Sequence, residues 1–139
     1  ANRLSRAAAQ AQGRFEAREV IRLFGLRAVA TLDDWLGVQE VFFGLLAPGV
    51  LHHDVERVDE RTCRIRIDRC RVYERAADAG LADHYACGVA ARLAGWLQGL
   101  DLGYALGPCN EGCPLARGKP CVYTLMLRFQ EAATAPPAA

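Results

Sequence analysis

The sequence predicts an α+β fold, an antiparallel sheet with helices packed on one face. Three observations lead there. Apolar residues recur at helical spacing through the first 48 residues, switch to two-residue alternation after residue 50, and alternate again from residue 121. Helices and strands do not take turns along the chain, which excludes a parallel sheet built from strand–helix–strand units.

Residues 1–29 read as a helix that docks by its C-terminal half, through Val20, Ile21, Phe24 and Leu26, with Gly25 kinking or ending it. Thr31 is the expected cap of a second helix, with Asp33 and Asp34 in the first turn where they oppose the helix dipole. Its apolar stripe is read as Trp35, Val38, Val41, Phe42 and Leu45, and Pro48-Gly49 stops it. Residues 50–69 form a hairpin in which Cys63, Ile65 and Ile67 face one way and Arg64, Arg66 and Asp68 the other. A short helix from Cys70 closes at Gly80, and a longer one is expected over 82–99, lined by small residues that allow a close neighbour. A short strand at 102–106, a cysteine loop and a final strand at 121–129 complete a single domain over 1–130. The tail, 131–139, is disordered by composition.

Composition narrows the function. The chain has 139 residues and a net charge of +1, so there is no bulk electrostatic case for nucleic acid or an anionic membrane as partner. No apolar run reaches the roughly 18 residues that span a bilayer, and the polar first 20 residues lack the core of a signal peptide. The expected location is the cytoplasm, where clustered cysteines stay reduced and serve metals or catalysis.

Cys87, Cys109, Cys113 and Cys121 are the sharpest feature. The last three lie within 13 residues, in a turn punctuated by Gly112, Pro114, Gly118 and Pro120. Thiolates gathered by such a loop suit zinc in a closed tetrahedral site, with an iron–sulfur cluster as the alternative cofactor. Cys70 and His84 are further candidate ligands or thiols, and Glu111 is another carboxylate within reach. Cys63 reads as a core residue. His52 and His53 occupy adjacent strand positions and point to opposite faces, so they do not share a metal. No phosphate loop or hydrolytic triad motif is present.

At these residues the chain resembles the 4-vinyl reductase, or hydrocarbon-binding, domain. "CGVAARLAGWLQG" is similar to that family's cysteine-bearing helix, and "GPCNEGCPLARGKPCVYTLML" to its closing loop and strand. The resemblance implies that Cys87, Cys113 and Cys121 ligate zinc beside a small-molecule pocket. The family's glutamate position is Asn110 here, which implies that the adjacent Cys109 takes its place. "CRVYERAADAGLADHYACGVA" also resembles an uncharacterised prokaryotic cysteine-rich family, which brings Cys70 toward the site. A general likeness to thiazoline-carboxylate hydrolase-like proteins implies an enzymatic alternative.

The function expected from this reading is a metal-binding module or sensor for a hydrophobic small molecule, acting as a homodimer. Trp35, Phe42, Tyr85, Trp96 and Tyr123 would line its pocket, with Phe43 and Tyr104 as further candidates. The alternative is an iron–sulfur or thiol-based redox or catalytic protein. A third reading is an interaction domain.

Overall fold

The structure, a computed structural model, describes residues 2–46, 48–108 and 112–130. Its element order is α1 (Asn2–Phe24), α2 (Leu32–Leu46), β1 (Leu51–Arg57), β2 (Thr62–Cys70), α3 (Arg71–Asp78), α4 (Val89–Gly99), β3 (Gly103–Gly107) and β4 (Cys121–Arg128). Short 3-10 turns at Ala82–His84 and Leu115–Arg117 punctuate the second half. The tail over 131–139 lies outside the described residues.

The four strands form one antiparallel sheet in the order β1-β2-β4-β3. Alternation decides its two faces. Ile65 stands between Val55 and Tyr123, Ile67 opposite His53 and Cys121, and Leu125 between Cys63 and Leu106. This face is covered by the helices, and Cys63, Ile65, Leu125 and Leu127 are at most 1% exposed. The opposite face is polar, with Asp54 across from Arg66 and Glu56 across from Arg64. The expected α+β architecture is therefore the observed one.

Local chemistry sets the helix boundaries. Gly25 ends α1 at φ 60°, and its N–H donates to the Ile21 carbonyl at 2.9 Å. At the start of α2 the Asp34 N–H donates to Thr31 Oγ1 at 3.2 Å. The Asp34 carboxylate in turn accepts from the N–H groups of Ala30 at 2.9 Å and Thr31 at 3.0 Å. This reciprocal arrangement is a capping box.

Three expectations change. The first helix docks along most of its length rather than by its C-terminal half, because its inner face is made of small residues. A methyl group on Gly13 would collide with the Arg92 carbonyl, and one on Gly99 would lie 2.6 Å from the Ala17 Cβ. Phe24 is instead 57% exposed. The second helix is rotated from the expected stripe: Leu32, Trp35, Gln39, Phe42 and Phe43 are buried, while Leu45 is exposed. Burying Gln39 is feasible because its amide is satisfied, donating to the Leu36 carbonyl at 3.0 Å and lying 3.1 Å from His53 Nε2. The helix expected over 82–99 is broken. Tyr85 is extended (φ −72°, ψ 119°), and regular helix begins only at Val89, after Gly88.

Candidate functional site

The clamp between α1 and α4 fixes everything around it. Gly13 and Gly95 meet face to face, so the two backbones approach closely. Glu16, on α1, sits in this seam. It accepts from Arg92 Nε at 2.8 Å, Arg92 Nη2 at 2.6 Å and Trp96 Nε1 at 2.8 Å, all from α4. Burial pushes the Glu16 carboxyl up, but the bonds from Arg92, Trp96 and Gln12 outweigh it and hold the group below its ordinary value. Arg92 also donates to the Leu46 carbonyl at 3.1 Å, tying in the end of α2. Trp96 packs edge-on against Phe42 and Phe43, with centroids 5.4 and 5.0 Å apart. Phe43 in turn stacks on His53 at 4.0 Å. Sequence reasoning missed this knot. Glu16 is the only carboxylate in the first 18 residues, which was its one available signal.

Two clefts flank the start of α4. One, of about 180 Å³, is apolar and bordered by Ala9, Val50, Leu51, Tyr85, Leu93 and Trp96. The other, of about 300 Å³, has Cys87, Ala91, Leu106 and Tyr123 along its walls and Arg6 and Gln10 contributed by α1. Among the residues expected to line a pocket, Phe43, Tyr85, Trp96, Tyr104 and Tyr123 border these clefts. Trp35 and Phe42 are instead fully buried core residues. Among the described residues the buried Trp35 Nε1–H has no nitrogen or oxygen partner and lies beside the Cys63 sulfur, a weak acceptor.

The cysteines converge in part. Cys70 ends β2, Cys87 precedes α4, Cys113 lies in the loop after β3 and Cys121 begins β4. Cys70, Cys113 and Cys121 are buried, Cys87 is half-buried, and none is in a disulfide. Burial pushes the Cys87 thiol up, with Cys113 and Cys70 adding to the effect. It pushes Cys121 up to about 11, again with Cys87, Cys113 and Cys70 contributing. Tyr85 is raised by burial and by the same thiols. Burial therefore favours the protonated thiol form of Cys87 and Cys121. Cys109 and Glu111 lie outside the described residues.

The zinc and iron–sulfur expectation does not survive this arrangement. Among the described residues, no three His, Cys, Asp or Glu side chains group as ligands of one metal ion. His84 illustrates why. A continuous helix over 82–99 would set it about one turn from Cys87, but it sits on the separate 3-10 turn and is exposed, with extended Tyr85 between them. Sequence spacing brought Cys70, Cys87, Cys113 and Cys121 into one neighbourhood, but no three of them group as ligands of one ion.

The comparisons with known proteins correct the family expectation as well. No protein-family model matches the chain, and no characterised protein matches it in sequence. In fold it is similar to a solved structure, trafficking protein particle complex subunit 3 from Naegleria fowleri, covalently bound to palmitic acid. The TM-score is 0.63 at 16% identity, over 94% of this chain and 82% of that one. The likeness is one of fold. It replaces the 4-vinyl reductase resemblance, and with it the zinc-dependent sensor and the redox alternative. No helix among the described residues is long and apolar enough to cross a membrane.

Sequence reasoning also passed over the outer face of α2. Gly37, Glu40 and Gly44 lie on its exposed side with Leu45 beside them, while Val38 and Val41 are half-buried and pack against the core. Leu45 is 48% exposed, and a methyl group added at Gly37 or Gly44 would meet nothing within 4 Å. The signal was present in the sequence, since the stretch from Trp35 to Pro48 holds a single charge, Glu40.

Proposed function

We propose that this protein is an assembly module, a chain that works by docking onto other protein chains through its outer helices. The observation that carries the reading is the outer face of α2. An exposed helix face that includes Gly37, Gly44 and Leu45 is poorly suited to water. Interior glycines weaken an exposed helix by about 1 kcal/mol each relative to alanine. Both features suit a helix that another chain covers at short range. The fold likeness supports this, because the similar structure is itself a subunit of a protein complex. A cytoplasmic setting belongs to the same proposal and accords with the unpaired cysteines. A photo-crosslinking amino acid at the exposed position 37, activated in living cells, tests it. The expected result is a covalent adduct to a protein. The absence of any protein adduct would overturn the reading.

A second reading has its own observation, the half-buried Cys87 on the wall of the 300 Å³ cleft. The similar structure carries palmitic acid covalently. We propose that this cleft accepts a long acyl chain. In the covalent case the Cys87 sulfur would take the acyl group from an acyl thioester, whose own sulfur leaves carrying the proton. Tyr123 would border the chain, with Tyr85 and Trp96 in the adjoining cleft. Incubation with a palmitoyl thioester should add one palmitoyl group by intact mass, removable by neutral hydroxylamine and absent in Cys87→Ser. No adduct, or an adduct retained in that variant, would refute it.

A further inference from the structure

We propose that the free edge of β1 takes up an extended basic segment of another protein as an added strand, with two consecutive lysine or arginine side chains of that segment reaching Glu40 and Asp54. The surface is distinct from the outer face of α2 and from the cleft beside Cys87, so the inference goes beyond both readings and does not depend on either.

β1 lies at one end of the sheet, and only one of its sides is paired. Two hydrogen bonds fix which residues face the open side. The Val58 N–H donates to the Thr62 carbonyl at 2.8 Å where the β1–β2 hairpin closes, and the Leu127 N–H donates to the Arg61 carbonyl at 2.8 Å on the other side of β2. Bonding residues alternate along an antiparallel ladder. Asp54 and Glu56 therefore bond to β2, while His53, Val55 and Arg57 turn their N–H and C=O groups outward. Each offers one donor and one acceptor in strand register, which is the pattern that strand addition uses.

α2 borders this edge and makes a groove of it. The groove holds about 380 Å³ and is bordered by Leu36, Gln39, Glu40, His53, Asp54 and Val55. Leu36 and Val55 are half-buried and give it an apolar part, and the Gln39 amide and the His53 ring hold each other at 3.1 Å. Its charge is of one sign. Glu40 and Asp54 are exposed, and neither forms a hydrogen bond or ion pair among the described residues. No lysine or arginine borders the groove. Arg66, across from Asp54 on β2, forms no ion pair with it there. Burial lowers His53 while Asp54 and Glu40 pull against it, so the ring is neutral at pH 7 and the field of both carboxylates reaches the groove.

The two carboxylates stand on opposite sides of the edge. His53 and Val55 point toward the helices and Asp54, between them, toward solvent, whereas Glu40 comes from the helix side. An added strand also presents successive side chains to opposite faces, so two adjacent basic residues meet one carboxylate each. The same charges reject a second copy of β1. Pairing it with itself about Val55 would set Asp54 against Glu56.

Fluorescence anisotropy with a labelled synthetic peptide, a Lys-Arg pair flanked by alternating valine and threonine, tests the proposal on the whole chain. The expected result is saturable binding, weakened about tenfold or more by Glu40→Lys or Asp54→Lys. A peptide with Asp-Glu in place of Lys-Arg should not bind. N-methylation of alternate main-chain amides in the basic peptide should cost about tenfold or more, because it removes donors to the edge. Val55→Pro deletes an outward N–H without touching the β1–β2 ladder, so it should lose the peptide while its melting stays close to wild type. The N-methylated peptide makes the same test without altering the protein. No saturable binding, equal binding of the acidic peptide, or indifference to both carboxylate changes would overturn the proposal. Binding that ignores N-methylation would overturn it too, since that is charge attraction without an added strand.

Discussion

Gly95→Ala is the sharpest probe of the α1–α4 clamp. The added methyl would collide with the Gln10 carbonyl oxygen and lie 2.9 Å from both the Arg14 nitrogen and the Gly13 Cα. All three are backbone atoms, so no rotamer change relieves the contact and α1 itself must move outward. Overpacking of this kind costs about 1–3 kcal/mol. Moving α1 also stretches the 2.6–2.8 Å bonds from Arg92 and Trp96 to Glu16. Alanine's better helix propensity opposes these costs by at most about 1 kcal/mol. The net expectation is a loss of about 2 kcal/mol, or roughly 6–8 °C in Tm for a chain of this size. Gly37→Ala is the control, since nothing lies within 4 Å of the added methyl. Measured in dilute protein, it should raise stability by up to about 1 kcal/mol. Thermal and urea unfolding read both variants. If Gly95→Ala melts at or above wild type, the close backbone contact is not what holds the two helices.

Three further outcomes follow from the same geometry. Glu16→Gln leaves Arg92 without its anion in a seam where the carboxylate is only 10% exposed, and should cost about 1–3 kcal/mol by urea unfolding. The folded carboxyl lies below its ordinary 4.5, so its contribution is present above that value and is lost as pH falls through the lower folded value. The variant's acid limb should therefore be shallower. His53 is shifted the other way, because burial disfavours its charged form and lowers it from 6.5. Stability should fall as pH drops below 6.5 toward the folded value, and His53→Gln should remove that part of the melting profile. Asp34→Ala deletes the acceptor for the Ala30 and Thr31 N–H groups and should lower stability by about 0.5–2 kcal/mol.

The sequence carried the sheet more legibly than the helices. In β2, Cys63, Ile65 and Ile67 alternate with charged residues, and only one register buries them, so the pattern and the structure agree. The Thr31 cap was equally readable, because its partner Asp34 is three residues away. Helix rotation was not readable. The apolar residues of α2 nearly encircle it, and the choice between Val41 and Gln39 as core depended on His53, 14 residues away, supplying a hydrogen-bond partner. The break before α4 was hidden for a similar reason, since "ADHYACGVAA" contains no proline and its alanines favour helix. That break carried His84 away from Cys87. The cysteine spacing identified side chains that end as neighbours, but a metal site also requires direction, and direction is set by the turns between them.

The glycines inside helices divide the surface more clearly than hydrophobicity does. Gly13, Gly95 and Gly99 each face backbone or a methyl at less than contact distance, so their cost to helix stability is offset by the α1–α4 packing they permit. Gly37 and Gly44 carry the same cost and face open space. Nothing among the described residues offsets it, and Leu45 beside Gly44 is apolar and exposed where a solvated helix would be charged. The two sets call for the same geometry, a second helix at short range. For the first set that helix is α1 or α4 of this chain, and for the second the proposed assembly would supply it from another molecule, which is why the outer face of α2 rather than the cysteine loop carries the functional reading.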